Sequence, residues 1–320
     1  MSLHVDHSEI ARFADDHVNL KRDDVKTYRA QVGNLRDRIE ALIVSHPELA
    51  LVKTQLSGSL AKGTALKALD DIDLALYISH TDAPTTVNEL IPWLAERLRK
   101  VIPNFSAEQV TENPFTVTVE YKGSGLKVDV VPVFYAGDAD GRGYMVSKDT
   151  GEKVLTSIPL HLEFIRKRKD ANKDHYAQVV RLVKYWVKRR KLDNKDFRFK
   201  SFMVELYVAH LADRAFGLDH YPDALAQVFA HIAKDGFVSP VVFDDHYHPS
   251  VCATSSHPIR IWDPVNHENN VAQKYSDQQR DAIVEAALDA GDAIAAAKRA
   301  VTKGEAVRYW QKVFGPAFTV

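Results

Sequence analysis

One strand constrains this chain more than any other segment. In Asp71-Ile-Asp-Leu-Ala-Leu-Tyr-Ile78, Ile72, Leu74, Leu76 and Ile78 fall on one face, while Asp71, Asp73, Ala75 and Tyr77 fall on the other. The aliphatic face calls for a helical cover, and both carboxylates point the same way. Two like charges about 7 Å apart along a strand face repel at neutral pH, and such an arrangement is most easily maintained with divalent cations between them. Mg²⁺ is the natural candidate, a hard ion that prefers oxygen ligands and substrate phosphates.

Upstream, Leu51 to Leu56 is expected to form a strand ending at Ser57-Gly58-Ser59, where the glycine lets the backbone turn close to a ligand. A small hydroxyl and exposed backbone N–H groups at that turn, Gly58 and Ser59 above all, suit the terminal phosphates of a triphosphate. Lys62 or Lys67 supplies positive charge nearby. The pattern is not a P-loop, because no Gly-Lys-Ser/Thr follows the first glycine at the required spacing. A two-metal site needs ligands from more than one direction, so a third carboxylate is expected on a neighbouring strand. Asp129 is the best candidate: it lies in Leu126-Lys-Val-Asp-Val-Val-Pro-Val-Phe134, which the turn residues Gly123-Ser-Gly125 join to the strand Phe115–Tyr121. Glu120 competes for the role, but nothing after it marks the end of a strand at a cleft.

The 320 residues suffice for one large or two ordinary domains, and 45% hydrophobic content is ample for a buried core. A single cysteine, Cys252, excludes an internal disulfide and a cysteine-rich zinc site and fits a reducing cytoplasm. No apolar run approaches the length of a membrane span, and Met1-Ser-Leu-His-Val-Asp-His7 lacks a basic region followed by an apolar stretch. The expectation is a soluble, cytoplasmic protein without a membrane partner. With 42 basic and 43 acidic side chains there is no global field for nucleic acid, so any polyanion contact must be local. Two clusters are available: Arg166-Lys-Arg-Lys169, and Lys188-Arg-Arg-Lys191 followed by Lys195, Arg198 and Lys200.

Along the chain, Val25, Tyr28, Val32, Leu35, Ile39 and Leu42 predict an amphipathic helix that opens the fold and packs across the sheet. A second helix is expected over Thr86 to Val101, stopped by Pro103, after which the sheet resumes at Phe115. Lys148-Asp-Thr-Gly151 reads as a turn between regions. From about Pro159 the pattern is mainly helical, with apolar stripes over Val179–Val187 and Phe202–Leu211. This sets the domains at 1–157, carrying the sheet, and 158–320, carrying the helices. Lys184 stands one helical turn from Arg181 and Lys188, so the three are expected to project together toward an anion. Lys200-Ser201 falls where a helix begins, a position that offers a hydroxyl and backbone N–H groups to a phosphate. Asp244-Asp-His-Tyr-His-Pro249 is read as an exposed turn rather than a metal site, and Ile259–Asn266 as a short strand running into a turn. Ser276 to Ala300 and Ala306 to Phe314 close the chain as helices.

The assembled pattern comprises Gly58-Ser59, Asp71-x-Asp73, Asp129, Arg181-Leu-Val-Lys-Tyr-Trp186, Lys200-Ser-Phe-Met203 and Asp263-Pro-Val-Asn266 with Asn269-Asn270-Val271. It resembles the polymerase-β-like nucleotidyltransferases, and within them the oligoadenylate synthase and cGAS branch. Over nearly its whole length the chain is similar to the bacterial CD-NTases, the cyclic oligonucleotide synthases of CBASS anti-phage defence, in particular those encoded beside HORMA-domain and TRIP13-like ATPase proteins. Ser57–Leu66, Ser157–Leu162 and Tyr309–Phe314 carry that closer match. The resemblance implies an α+β fold: a nucleotidyltransferase lobe with a mixed sheet, a helical C-terminal lobe, and an active site in the cleft between them. It implies that Asp71, Asp73 and Asp129 ligate two Mg²⁺ ions, that Ser59, Lys184 and Ser201 hold the triphosphate of ATP, and that the product is a cyclic trinucleotide, chiefly cyclic triadenylate. A HORMA partner regulated by a TRIP13-like ATPase, and double-stranded DNA as activator, are further implications. Asp70 beside the pair is a potential competitor for metal.

Competing functions share parts of this pattern. A template-independent transferase acting on RNA or tRNA ends, or a linear oligoadenylate synthase, would use the same carboxylates. The RNA-end enzyme calls for a separate RNA-binding domain or strongly basic surface, neither of which is evident. A non-catalytic binding module would be marked by loss of a carboxylate, and all three are present.

Overall fold

The structure, a computed structural model, describes residues 4–45, 51–69, 71–79, 89–252 and 254–320. It divides into two compact units, one of Leu20–Glu163 and one of Met1–Asn19 together with Phe164–Val320. The fold is α+β, as expected.

The first unit is built on a seven-stranded mixed sheet in the order β1-β2-β5-β4-β3, with β6 pairing β5 and β7 pairing β6. Its strands are β1 (Leu51–Leu56), β2 (Ile72–Ile78), β3 (Val110–Glu112), β4 (Val117–Tyr121), β5 (Leu126–Tyr135), β6 (Arg142–Val146) and β7 (Lys153–Ser157). β2 runs parallel to β5 and the other pairings are antiparallel. The alternation read in β2 is realised: Ile72, Leu74, Leu76 and Ile78 join one core with Val128 and Val130 of β5, while Ala75 and Tyr77 join a small second cluster with Val131 and Val133. The larger core is closed by α2 (Arg22–Ser45), through Val32, Leu35 and Ile39, and by α4 (Leu90–Val101), through Leu90, Leu94 and Leu98. Residues 86–88 of the expected second helix, and the side chain of Leu42, lie outside the description.

Two expectations for this unit need correction. The turn Lys148–Gly151 does not separate regions. It joins β6 to β7 within the same sheet, with the Gly151 N–H donating to Ser147 O at 2.9 Å. β4 begins at Val117 rather than Phe115, because Asn113 and Pro114 make a turn in which Asn113 N–H donates to Thr116 O at 2.8 Å. Gly143 in β6 is needed for sheet closure, since a Cβ there would stand 2.4 Å from Phe134 O.

The second unit is helical: α1 (His7–Phe13) continued by a π-helical turn to Val18, the end of α5 (Ile158–Asn172), α6 (His175–Asp193), α7 (Ser201–Ala212), α8 (Tyr221–Asp235), α9 (Asp277–Arg299) and α10 (Lys303–Phe314). α2 does not open the fold, as α1 precedes it, capped by Asp6 in a reciprocal box with Glu9. Residues 1–19 group with the C-terminal helices because Ile10 and Phe13 are buried there, Phe13 lying 5.1 Å from Phe314 and 4.9 Å from Phe318 between ring centroids. The boundary expected at 157/158 therefore moves into α5, and the first 19 residues change sides. Ile259–Asn266 forms only isolated bridges, Val241 with Ile261 and Trp262 with Asn270. No helix among the described residues is long and apolar enough to cross a membrane.

The basic run Arg166–Lys169 is not a polyanion patch. Arg168 is 3% exposed, stacks on Phe164, and bonds Asp213 at 2.7 Å and Asp245 at 2.8 Å, while Lys167 reaches Asp245 at 2.8 Å. The loop 244–249, read as an exposed turn, thus supplies a structural counter-ion. Burial alone would raise the Asp245 carboxyl, but hydrogen bonds from Arg168 and Lys167 outweigh it and hold the group well below the usual carboxylate range. A carboxyl depressed in the folded state stabilises fully above its unfolded value, about 3.9, and less as pH falls through the folded one. Asp245→Asn is expected to cost about 1–2 kcal/mol at neutral pH, since Arg168 keeps Asp213 and the site is partly solvated. Thermal unfolding against pH should show the gap from wild type narrowing below about pH 4.

Candidate active site

The parallel register of β2 and β5 sets Asp73 directly beside Asp129. Neighbouring strands lie about 4.8 Å apart, so the two carboxylates leave one face of the sheet side by side. On the far side of β5, β4 pairs antiparallel and sets Thr118 opposite Asp129. Asp73, Asp129 and Thr118 thus form one cross-strand row. Glu120, the competing third carboxylate, pairs with Lys127, 3.9 Å away, and is not in this row.

Each member of the row is fixed by its neighbours. Ser57 N–H donates to Asp73 O at 2.9 Å, and its hydroxyl reaches the same oxygen at 3.3 Å. Gly58 then turns with φ +66° into the short helix α3 (Gly58–Lys62). A Cβ on Gly58 would fall 1.7 Å from Asp73 Oδ2, so the carboxylate lies against the bare Cα. Leu60 of α3 is buried in the main core, and Gly63, also left-handed, ends the helix. On Asp129, Oδ1 accepts a short hydrogen bond from the Thr118 hydroxyl. Below the row the same face is closed: Tyr77 OH donates to Gly141 O at 3.0 Å and accepts from Ile158 N–H at 3.1 Å, and burial raises its phenol above the ordinary value.

Asp73 and Asp129 supply the hard oxygen donors that Mg²⁺ takes. Asp71 lies one residue before β2 and is solvent-exposed. Among the described residues no three His, Cys, Asp or Glu side chains form a ready-made ligand cluster. Asp70 lies outside the described residues.

The phosphate candidates fare differently. Ser59 and Lys62 sit in α3 on the turn that follows β1, next to Asp73, and Lys67 is exposed beyond it. Lys200 caps α7 and Ser201 is its first residue, exposed, with no side-chain capping bond; Lys200 N–H donates to Tyr275 OH at 3.1 Å. Arg181 and Lys184 of α6 each have protein partners. Arg181 is held by Asn19 and Gln178 at 2.9 and 2.7 Å, and Lys184, 5% exposed, is paired with buried Glu205 at 2.6 Å. Asp263 and Asn270 serve the backbone instead: Asp263 accepts from Val265 N–H at 2.8 Å, and Asn270 bridges Ile259 O, Ile261 N–H and Ala272 N–H.

No sequence-family profile matches the chain. It is 49% identical over 315 residues, 98% of each chain, to a cyclic AMP-AMP-AMP synthase of Escherichia coli strain MS 115-1. It is 30% identical, over 97% of this chain and 96% of the relative, to the CBASS oligonucleotide cyclase CdnC of Escherichia coli strain KTE188. Among solved structures it is similar to Escherichia coli MS115-1 CdnC with ATP, at TM-score 0.91, 49% identity and coverage of 99% and 100%. A complex of that CdnC with HORMA-deltaN aligns at TM-score 0.91, 48% identity and 99% of both chains.

Gly58 and Gly33 give opposite expectations. Gly58→Ala forces an L-residue into the left-handed region, costing about 1–2 kcal/mol, and drives Asp73 aside. Gly33→Ala, within α2 and with nothing within 4 Å, gains about 0.5–1 kcal/mol of helix propensity. Differential scanning fluorimetry should show a lower Tm for the first and a higher one for the second; equal shifts would contradict the contact at Asp73.

Proposed function

The chain belongs to the CD-NTases, the oligonucleotide cyclases of CBASS, and from that membership we propose that it joins ATP into cyclic triadenylate with release of pyrophosphate, making a second messenger for anti-phage defence. The observation that carries the reading is the register pairing of Asp73 with Asp129 against the bare Cα of Gly58, on a face with Thr118 in the same row.

In the proposed reaction the 3′-hydroxyl oxygen of one nucleotide attacks the α-phosphorus of the next. A new O–P bond forms, the bond to pyrophosphate breaks in line, and the hydroxyl proton leaves the attacking oxygen. Asp73 and Asp129 would hold Mg²⁺ together with Asp71, and the bound ions would supply charge to stabilise the attacking and departing oxygens. Asp129 Oδ1 accepts from the Thr118 hydroxyl, and Oδ2 is the oxygen assigned to the reacting hydroxyl, either to favour its ionisation or to accept its proton. The backbone at Gly58 and Ser59 and the ammonium of Lys62 hold the triphosphate of the acceptor nucleotide, with Lys200 and Ser201 as the contribution of α7. Lys184, paired with Glu205 at 2.6 Å between α6 and α7, is the proposed contact of α6 with the triphosphate. Ring closure repeats the same chemistry, the 3′-hydroxyl of a linear trimer attacking its own 5′ α-phosphate.

A HORMA-domain protein is the proposed partner, by likeness to the CdnC complex, with a TRIP13-like ATPase controlling it and duplex DNA as activator. The reaction belongs in the cytoplasm, where ATP is abundant, in keeping with the lone thiol of Cys252.

The test is incubation with ATP and Mg²⁺, with and without HORMA partner and duplex DNA, followed by mass spectrometry and pyrophosphate release. Wild type should give a phosphatase-resistant trimer of adenylate, lost on removal of the metal by chelation. Asp71→Asn combined with Asp73→Asn should keep the Tm and lose both signals. Persistent product from that variant, or label transferred to added RNA, would overturn the assignment.

A further inference from the structure

Asp129 is tethered by a chain of polar side chains that the reaction scheme leaves unused. The Asn113 side-chain amide donates one hydrogen to Thr116 Oγ1 at 3.2 Å and the other to Thr118 Oγ1 at 2.7 Å, and Thr118 Oγ1 in turn reaches Asp129 Oδ1. We propose that Thr118 and Asn113 are positioning residues for the reaction, fixing which oxygen of Asp129 faces Asp73 and the substrate; this rests on the reading of Asp129 as a catalytic carboxylate.

The geometry makes the chain directional. A threonine hydroxyl has one proton, and here its oxygen already accepts from Asn113, so that proton goes to Asp129 Oδ1. Thr118 is stiff at χ1, being β-branched and in a strand, and the antiparallel register sets it opposite Asp129. Asn113 is itself held, since its backbone N–H closes the turn on Thr116 O at 2.8 Å and both its amide hydrogens are used. The row Asp73, Asp129, Thr118 therefore has a fixed donor at one end, which sets the rotation of the Asp129 carboxylate. A hydrogen bond to a ligating carboxylate orients it, and loss of such outer partners typically costs about 10–100-fold in metal affinity or activity.

Four variants separate the possibilities. Thr118→Val keeps shape and β-branching but removes the hydroxyl, Thr118→Ser keeps the hydroxyl, Asn113→Ala frees the hydroxyl to rotate, and Asp129→Asn is the control. Two readouts are taken: steady-state cyclisation of ATP across a Mg²⁺ titration, and Mn²⁺ binding to the unreacted protein by electron paramagnetic resonance. Thr118→Val should lower kcat about tenfold with KM for ATP within about twofold, raise the Mg²⁺ needed for half-maximal rate several-fold, and weaken Mn²⁺ binding by a similar factor. Thr118→Ser should lie near wild type, and Asn113→Ala between the two, which carries the test should the valine variant fail to fold. If Thr118→Val matches wild type in both readouts while Asp129→Asn is inactive, the positioning role is overturned and the reading of Asp129 stands. Equal losses in the valine and serine variants would also overturn it. Full activity of Asp129→Asn would remove the catalytic reading and this inference with it.

Discussion

The fold depends on one register, the parallel pairing of β2 with β5. It puts Ile72, Leu74, Leu76 and Ile78 beside Val128, Val130, Pro132 and Phe134, and in doing so puts Asp73 beside Asp129. A slip of one residue in either strand would turn a carboxylate into the core under α2 and α4 and bring aliphatic side chains to the open face. The pairing sets like charges side by side. Repulsion between unit charges at about 5 Å is about 1–3 kcal/mol at effective dielectrics between water and a protein surface, whereas each fully buried Val or Leu contributes about 1.5–3 kcal/mol. The aliphatic face, with many such side chains, outweighs the repulsion. The core therefore holds the carboxylates together before any ligand is bound.

That register explains what was legible in the sequence. β2 and β5 each carry a period-two pattern with one face entirely apolar, so which side chains share a face follows from counting, and Gly123-Ser-Gly125 gives the hairpin that brings β5 to the sheet. The pairing of Asp129 rather than Glu120 with Asp73 follows from the same arithmetic once β2 and β5 are adjacent. What was not legible lacks a periodic signature. β3 is three residues long, and the β6–β7 turn looks like a linker because its polar residues and glycine suit either role. α1 was missed although Asp6-His-Ser-Glu9 is a capping pattern, because only two of its residues, Ile10 and Phe13, are buried. The tether from Asn113 through Thr118 to Asp129 has no local sign at all: it exists because two registers, β4 on β5 and a turn before β4, coincide.

Charge was the least legible property, for a related reason. A run of basic residues shows where charge is dense along the chain, not which partner the fold delivers to it. Arg168 meets Asp213 and Asp245, and Lys184 meets Glu205, each from a segment distant in sequence. Both cations are nearly sealed from water, where an unpaired charge is untenable, so each long-range partner is a condition of burial. The helical stripe places Arg181 and Lys184 on one helix correctly, but not the partners they meet from elsewhere in the chain, Asn19 for the first and Glu205 for the second.

Two devices hold the two facing carboxylates, and they act by different physics. Asp73 is confined sterically: its carboxylate fills the space a Cβ on Gly58 would need, and Ser57 binds the backbone beneath it. Asp129 is confined by a directional hydrogen bond, which sets the rotation of its carboxylate as well as its place. Two carboxylates preset in this way suit the proposed site, which must admit and release a charged nucleotide at each addition. A pair fixed by the fold would keep the same geometry from one addition to the next while the substrate grows from mononucleotide to trimer and closes on itself.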